Sequence, residues 1–253
     1  MKARVRQIFL VLILAAQGLY AQTSALVAQA DVLDEKKNDS KGALALLLQA
    51  DQQKPNDAEI LRRIAKQEIQ LFVDSKNDAE RKQLGATALD YAQRAVKADP
   101  NNAKAHLSLS IIYGRIAFLE SNRRKVELSK LIESEAQTAA RLDPREVYAW
   151  HVLGRWNYEL SGFNPILKAL AELIYGKFPD CSYEKAVEYF KKAIALDPKS
   201  VINHIELGRT YLAMGKKAEA KAELEKGLAL PSTMKDDEET KARGRLALKG
   251  LEG

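Results

Sequence analysis

One phase recurs four times along this chain. A residue followed by proline stands at Lys54-Pro55, Asp99-Pro100, Asp143-Pro144 and Asp197-Pro198, and each proline lies five positions after an alanine, at Ala50, Ala95, Ala139 and Ala193. The last three stretches read AVKADP, AARLDP and AIALDP. A helix does not run through such a site, because proline lacks an N–H and pushes the residue before it out of the helical region. Repetition at a period of roughly 30–50 residues belongs to stacked arrays, in which one repeat cannot bury its own apolar face. The expected fold is an all-α array, and its expected use is a binding surface.

The final repeat has the plainest spacing. From Val201 it reads VINHIELGRTYLAMGKKAEAKAELEKGLALP. Leu207-Gly208, Tyr211, Gly215 and Ala220 fall at the positions of a tetratricopeptide repeat (TPR), two helices in about 34 residues. Gly208 and Ala220 are expected where the helices cross, with Leu207, Tyr211 and Leu224 filling the space around them. Gly215 is expected to end the first helix in a left-handed conformation that glycine adopts cheaply. The preceding unit has Trp150, Leu153 and Gly154 in its first helix and Tyr183, Ala186 and Tyr189-Phe190 in its second. Gly154 to Ala186 spans 32 positions where Gly208 to Ala220 spans 12, which places an insertion over Ser161 to Asp180. The expectation is a right-handed TPR-like superhelix of about five units, near 24–57, 58–102, 103–146, 147–200 and 201–234. Residues 235–252 read as a capping helix for the last unit. Its acids Asp236 to Glu239 stand at the start, where the helix dipole favours them.

The stretch from Trp150 to Pro231 resembles the regulator of microtubule dynamics family. AWHVLGRWNYELS (Ala149 to Ser161), the long insertion, the run from Ser182 to Phe190 and the segment HIELGRTYL carry the resemblance. It extends more weakly over residues 25–145. It implies an all-helical TPR-like array without known catalysis. In eukaryotic members it implies association with microtubules and spindle poles, or with organelle contact sites and lipid. The N-terminus of this chain departs from those members and argues against a microtubule role.

Residues 1–21 read as a secretory signal peptide. Lys2, Arg4 and Arg6 form a basic start, Ile8 to Ala16 an apolar core, and Leu19-Tyr20-Ala21 a cleavage site with the cut after Ala21. The apolar run is too short for a spanning helix, which needs roughly 20 residues. The expected location is the periplasm or cell envelope; the alternative is a membrane tether through an uncleaved signal anchor. Removing this segment takes away three basic residues and no acid, so the formal net charge falls by three from +6. The single cysteine, Cys181, excludes an intramolecular disulfide.

No catalytic constellation or cofactor motif is present, so no enzyme activity and no cofactor are expected. His106 and His204 occupy the repeat position that Trp150 holds in its own unit, which makes them helix-packing residues. No histidine pair has metal-site spacing, so no metal is expected. The modest charge and the absence of a continuous basic stripe with aromatics exclude nucleic acid as the expected partner.

In a TPR array the first helix of each unit lines the concave face. The groove-facing candidates are Arg62 and Lys66; Lys104, Leu107 and Ile111; Tyr148, His151, Arg155 and Tyr158; and Ile205 and Arg209. One equivalent position reads Lys66, Ile111, Arg155, Arg209, three of four cationic. Arginine can fork onto a carboxylate or phosphate. The leading expectation is a non-enzymatic exported scaffold that holds an acidic peptide or protein partner in this groove. The bland alternative is that these cations pair with neighbouring Glu159 and Glu206. The insertion offers a second surface. Ile166, Leu170, Leu173 and Ile174 share one helical face there, with Gly176 as the stop. That face admits lipid or amphiphile binding beneath residues 161–180.

Overall fold

The computed structural model describes residues 21–252, and all regular structure among them is helical. Most of the expected signal segment lies outside the described residues. Residues up to Leu119 form one compact unit and residues from Glu120 a second. The division falls inside the stretch 103–146.

The four prolines act alike. The residue before each donates its backbone N–H to the carbonyl of the phase alanine. The bonds are Lys54 to Ala50 (2.9 Å), Asp99 to Ala95 (3.1 Å), Asp143 to Ala139 (2.9 Å) and Asp197 to Ala193 (2.9 Å). All four alanines are fully buried. Each of these helices thus ends one turn after a buried alanine. In the last three, the aspartate side chain also accepts from the backbone N–H two residues on, at Asn101, Arg145 and Lys199. That bond closes the turn locally. A lysine side chain cannot accept, and at the first of the four turns Asn56 takes a positive φ of 61° instead.

In the first unit, residues 21–37 are helical (α1), followed by α2 (Ser40–Gln53), α3 (Ala58–Asp74), α4 (Asp78–Ala98) and α5 (Ala103–Ala117). Side-chain caps start them: Asp39 for α2, Asp57 for α3, Asn77 for α4 and Asn102 for α5. Ala30, Ala43, Leu47, Ile60 and Ile64 form a core between α1, α2 and α3, with Leu26, Val27 and Leu33 against it. Ion pairs fix α3 on α1, from Arg63 to Asp31 (2.9 Å) and from Lys66 to Asp34 (2.6 Å).

The second unit holds α6 (Asn122–Leu142), α7 (Val147–Ser161), α8 (Pro165–Tyr175), α9 (Tyr183–Leu196), α10 (Val201–Ala213), α11 (Lys217–Ala229) and α12 (Asp237–Glu252). Helix α7 packs on α9 and α10 on α11, whereas α8, between α7 and α9 in sequence, packs on α6. Asn164 caps α8 and Gly176, at φ 87°, ends it. Gly215 ends the α10 turn at φ 74°, in the left-handed region expected from its place in the repeat. Leu207, Tyr211, Ala220 and Leu224 are buried around the α10–α11 crossing. Helix α12 packs on both α10 and α11, with Leu248 and Leu251 against Val201, Ile205 and Leu224.

The equivalence of His106, Trp150 and His204 has one physical content. Each ring N–H reaches back six residues to a proline carbonyl: His106 Nε2 to Pro100 O (3.0 Å), Trp150 Nε1 to Pro144 O (2.9 Å) and His204 Nε2 to Pro198 O (3.2 Å). A carbonyl can only accept, so the ring nitrogen donates in each. These residues close the turn between repeats.

Candidate functional site

The site is assembled in the second unit from α7, α10 and α12. Its centre is Glu206, whose side chain is fully buried. Arg209, one turn along α10, donates from Nη1 to both of its oxygens at 3.0 and 2.8 Å. Arg155 of α7 approaches at 3.5 Å and Arg243 of α12 at 3.8 Å. The outer ends of these arginines meet exposed acids: Arg155 Nη2 lies 2.8 Å from Glu159, and Arg243 Nη1 lies 3.6 Å from Glu239. Burial disfavours the charge on Arg209, but the Glu206 carboxylate, with Tyr158 and Glu159 beside it, outweighs this and raises the pKa. The Nε atoms of Arg155 and Arg243 are buried with no hydrogen-bond partner among the described residues.

Aromatic rings border the cluster. The Arg209 guanidinium stands 5.4 Å from the centroid of Tyr158, which in turn lies 5.7 Å from the ring of Tyr183. Tyr148 is 38% exposed. Burial, with Asp236 and Asp237 nearby, raises its hydroxyl pKa. His151 is buried and hydrogen-bonds Asn203 Oδ1 through Nδ1 at 2.8 Å. Asn203 Nδ2 is used on Ser200, so its oxygen faces the ring and His151 Nδ1 carries the proton.

The remaining expected groove residues lie elsewhere. Arg62 pairs with Glu59 and Lys66 with Asp34, both within the first unit. Lys104 is exposed and Ile111 half-buried. Leu107 and Ile205 do not face a groove. Leu107 is 7% exposed, and Ile205 is fully enclosed, against Gly227 of α11 and Gly244 of α12. The expectation treated α10 as an open lining helix, but α12 covers the side on which Ile205 stands. The same helix brings Arg243 to Glu206. No sequence signal marked Arg243, because the register of α12 on α10 is a tertiary fact. On α8, Ile166 is 79% and Leu173 78% exposed, while Leu170 and Ile174 are half-buried.

Among the described residues no group of three or more His, Cys, Asp or Glu side chains could hold a metal ion, and no helix is long and apolar enough to cross a membrane. Burial raises the Cys181 thiol pKa, which leaves it less reactive than a free thiol.

Comparison with known proteins gives the context. A TPR protein from Thermus thermophilus superposes with a TM-score of 0.64 over 90% of this chain and 99% of its own, at 21% identity. The fold is therefore TPR-like. Regulator of microtubule dynamics protein 1 of Mus musculus is 29% identical over 233 residues, which is 91% of this chain and 75% of that protein. Regulator of microtubule dynamics protein 2 of Homo sapiens is 25% identical over 215 residues, 85% of this chain and 52% of that protein. The family model for regulator of microtubule dynamics protein 1-3 matches residues 26–252. With nearly all of the described chain inside that match, the protein belongs to the regulator of microtubule dynamics family.

Proposed function

We propose that this chain is a non-enzymatic exported scaffold that holds an acidic peptide or protein partner at Arg155, Arg209 and Arg243. The observation that carries the reading is the convergence of three guanidiniums on one buried carboxylate. Each guanidinium offers five N–H donors, and one carboxylate cannot saturate three of them. The additional pairs to Glu159 and Glu239 are exposed, so water and salt screen them and a partner's carboxylates can replace them. Tyr158 supplies flat contact area beside the charges, the combination that dominates many interfaces. The test is a titration with a labelled glutamate-rich peptide. Arg155→Gln with Arg209→Gln should weaken binding at least tenfold and flatten its salt dependence. Glu206→Gln should strengthen it. Unchanged affinity in the double variant would sink the reading.

The location outside the cytoplasm rests on Lys2, Arg4, Arg6, the apolar core and Ala21. N-terminal sequencing after expression in an exporting host should begin at Gln22. A membrane-bound product that begins at Met1 would instead indicate the uncleaved anchor. An exported chain does not meet microtubules, so the role in the relatives' names is not carried over.

A second reading, contact with a lipid or amphiphile at the insertion, is favoured by one observation. Ile166 and Leu173 lie seven residues apart, on one face of α8, and both are largely exposed. Native mass spectrometry should then find acyl species that are lost in Ile166→Glu with Leu173→Glu. A bare mass in both proteins argues for the peptide partner.

A further inference from the structure

Helix α8 rests on α6 by one face only. Ala171 is fully buried there, Leu167, Leu170 and Ile174 are half-buried, and the Tyr175 hydroxyl is paired with Ser129 Oγ of α6 at 2.8 Å. At about 100° per residue the opposite face is centred on Ala169. Ile166 and Leu173 form one edge of that outer face, and Lys168 and Glu172 form the other. All five of these residues are exposed.

The charged edge is not paired within the chain. Lys168 and Glu172 stand one turn apart with the lysine first, the weaker order for an ion pair along a helix. The Lys168 ammonium lies over the ring of Phe178 instead, 5.8 Å from its centroid. The Glu172 carboxylate forms no ion pair or hydrogen bond among the described residues. An apolar edge and an edge with one free charge of each sign thus flank a central alanine. A lipid, the occupant in the second reading above, would satisfy the apolar edge. It would leave Glu172 without a partner, and anionic headgroups would repel it.

We propose that the outer face of α8 is a self-association surface on which a second copy of this chain docks its own α8, antiparallel. A two-fold axis in the plane of contact and perpendicular to the helix lays each edge against the same edge of the other copy. Placed level with Ala169 and Leu170, it sets Ile166 against Leu173 of the second copy and Lys168 beside that copy's Glu172. Every such contact occurs twice, as in any two-fold interface. Ala169 meets Ala169 near the centre, where small side chains let helix axes approach to about 8 Å. A parallel pair would instead oppose lysine to lysine and glutamate to glutamate, so the charges choose the antiparallel one. The helix is only about 16 Å long, at about 1.5 Å per residue, so the contact is smaller than a standard interface and the association is weak. The proposal is independent of the arginine cluster and competes with lipid for one face.

The experiment is sedimentation equilibrium of the folded protein from about 5 µM to about 500 µM, the range in which a contact of this size associates. A reversible monomer–dimer equilibrium is expected, and Ile166→Glu with Leu173→Glu should abolish it. Lys168→Glu alone and Glu172→Lys alone each place like charges together twice, and each should weaken the dimer at least about tenfold, whereas the two changes combined should restore it to within about threefold of the parent. All four positions are exposed, so circular dichroism and the melting temperature should stay close to the parent. Monomer at every concentration, a dimer that persists in the Ile166→Glu, Leu173→Glu protein, single charge reversals without effect, or no recovery in the combined variant would each overturn the proposal. Vesicles of phosphatidylglycerol supply the competing arm. A monomeric parent that binds them, and binds them more tightly as Glu172→Lys, would overturn self-association and leave the lipid reading in place. The Arg155→Gln, Arg209→Gln protein should dimerise like the parent, which separates this face from the peptide surface.

Discussion

Gly154 and Phe190 touch at the limit of what a backbone allows. A Cβ built on Gly154 would stand 2.7 Å from Phe190 Cε1, with Cδ1 at 2.8 Å and Cζ at 2.9 Å. Phe190 is fully buried and cannot swing aside. The α7–α9 crossing is therefore set by the absence of one methyl group. Gly154→Ala should gain up to about 1 kcal/mol of helix propensity and lose roughly 1–3 kcal/mol to overpacking, a net loss. Urea unfolding measures the balance, and a variant as stable as the parent would contradict this packing.

Gly208 presents the same relation to Leu224, at 2.7 Å, but with a backbone atom, Ala220 O, at 3.1 Å as well. A side chain can shift more readily than a helix backbone. Gly208→Ala should accordingly cost at least as much as Gly154→Ala in the same unfolding experiment.

The shared bond of His106, Trp150 and His204 to a proline carbonyl makes an exchange testable. Trp150→His should keep the N–H to Pro144 O, whereas Trp150→Leu should lose it. The two variants should differ by about 0.5–1.5 kcal/mol in favour of histidine. Equal stability of the pair would mean that the bond to Pro144 contributes nothing.

Burial lowers the pKa of His151, partly opposed by its bond to Asn203 and by Glu206. With a folded pKa below the unfolded value of about 6.5, the neutral ring is the form the fold accepts. The stabilisation is complete above about pH 6.5 and is lost as the pH falls below it, because the unfolded chain takes up the proton first. Replacing His151 by Gln should remove this component, so the difference in stability between parent and variant should shrink between pH 7 and pH 5. A constant difference across that range would show that His151 does not carry it.

Glu206→Gln should lower stability by about 1–2 kcal/mol rather than the larger loss seen when a charge is stranded in a dry core. The reason is that Arg155, Arg209 and Arg243 stay 31%, 28% and 39% exposed and can rehydrate. A loss of about 4 kcal/mol or more in thermal or urea unfolding would indicate that the arginines are effectively dry.

The helix ends, the small residues at crossings and the cap at Gly215 were legible because each depends on a few neighbours in sequence. A proline denies its predecessor the helical region wherever it occurs, and glycine alone reaches φ 74° cheaply. The repeat phase then told which alanines, glycines and ring N–H groups would be equivalent. The arginine cluster was less legible. The repeat frame put Arg155 and Arg209 among the groove candidates, and the pairs they make with Glu159 and Glu206 are those of the alternative reading; Arg243 was not marked, and Ile205 was turned the wrong way. Both depend on how α12 lies across α10, a choice made by the packing of Leu248, Leu251 and Gly244 rather than by any local pattern. Local chemistry thus determined the elements and their order. Only the tertiary structure decided which charges share Glu206, because burial and charge pairing are properties of neighbours in space.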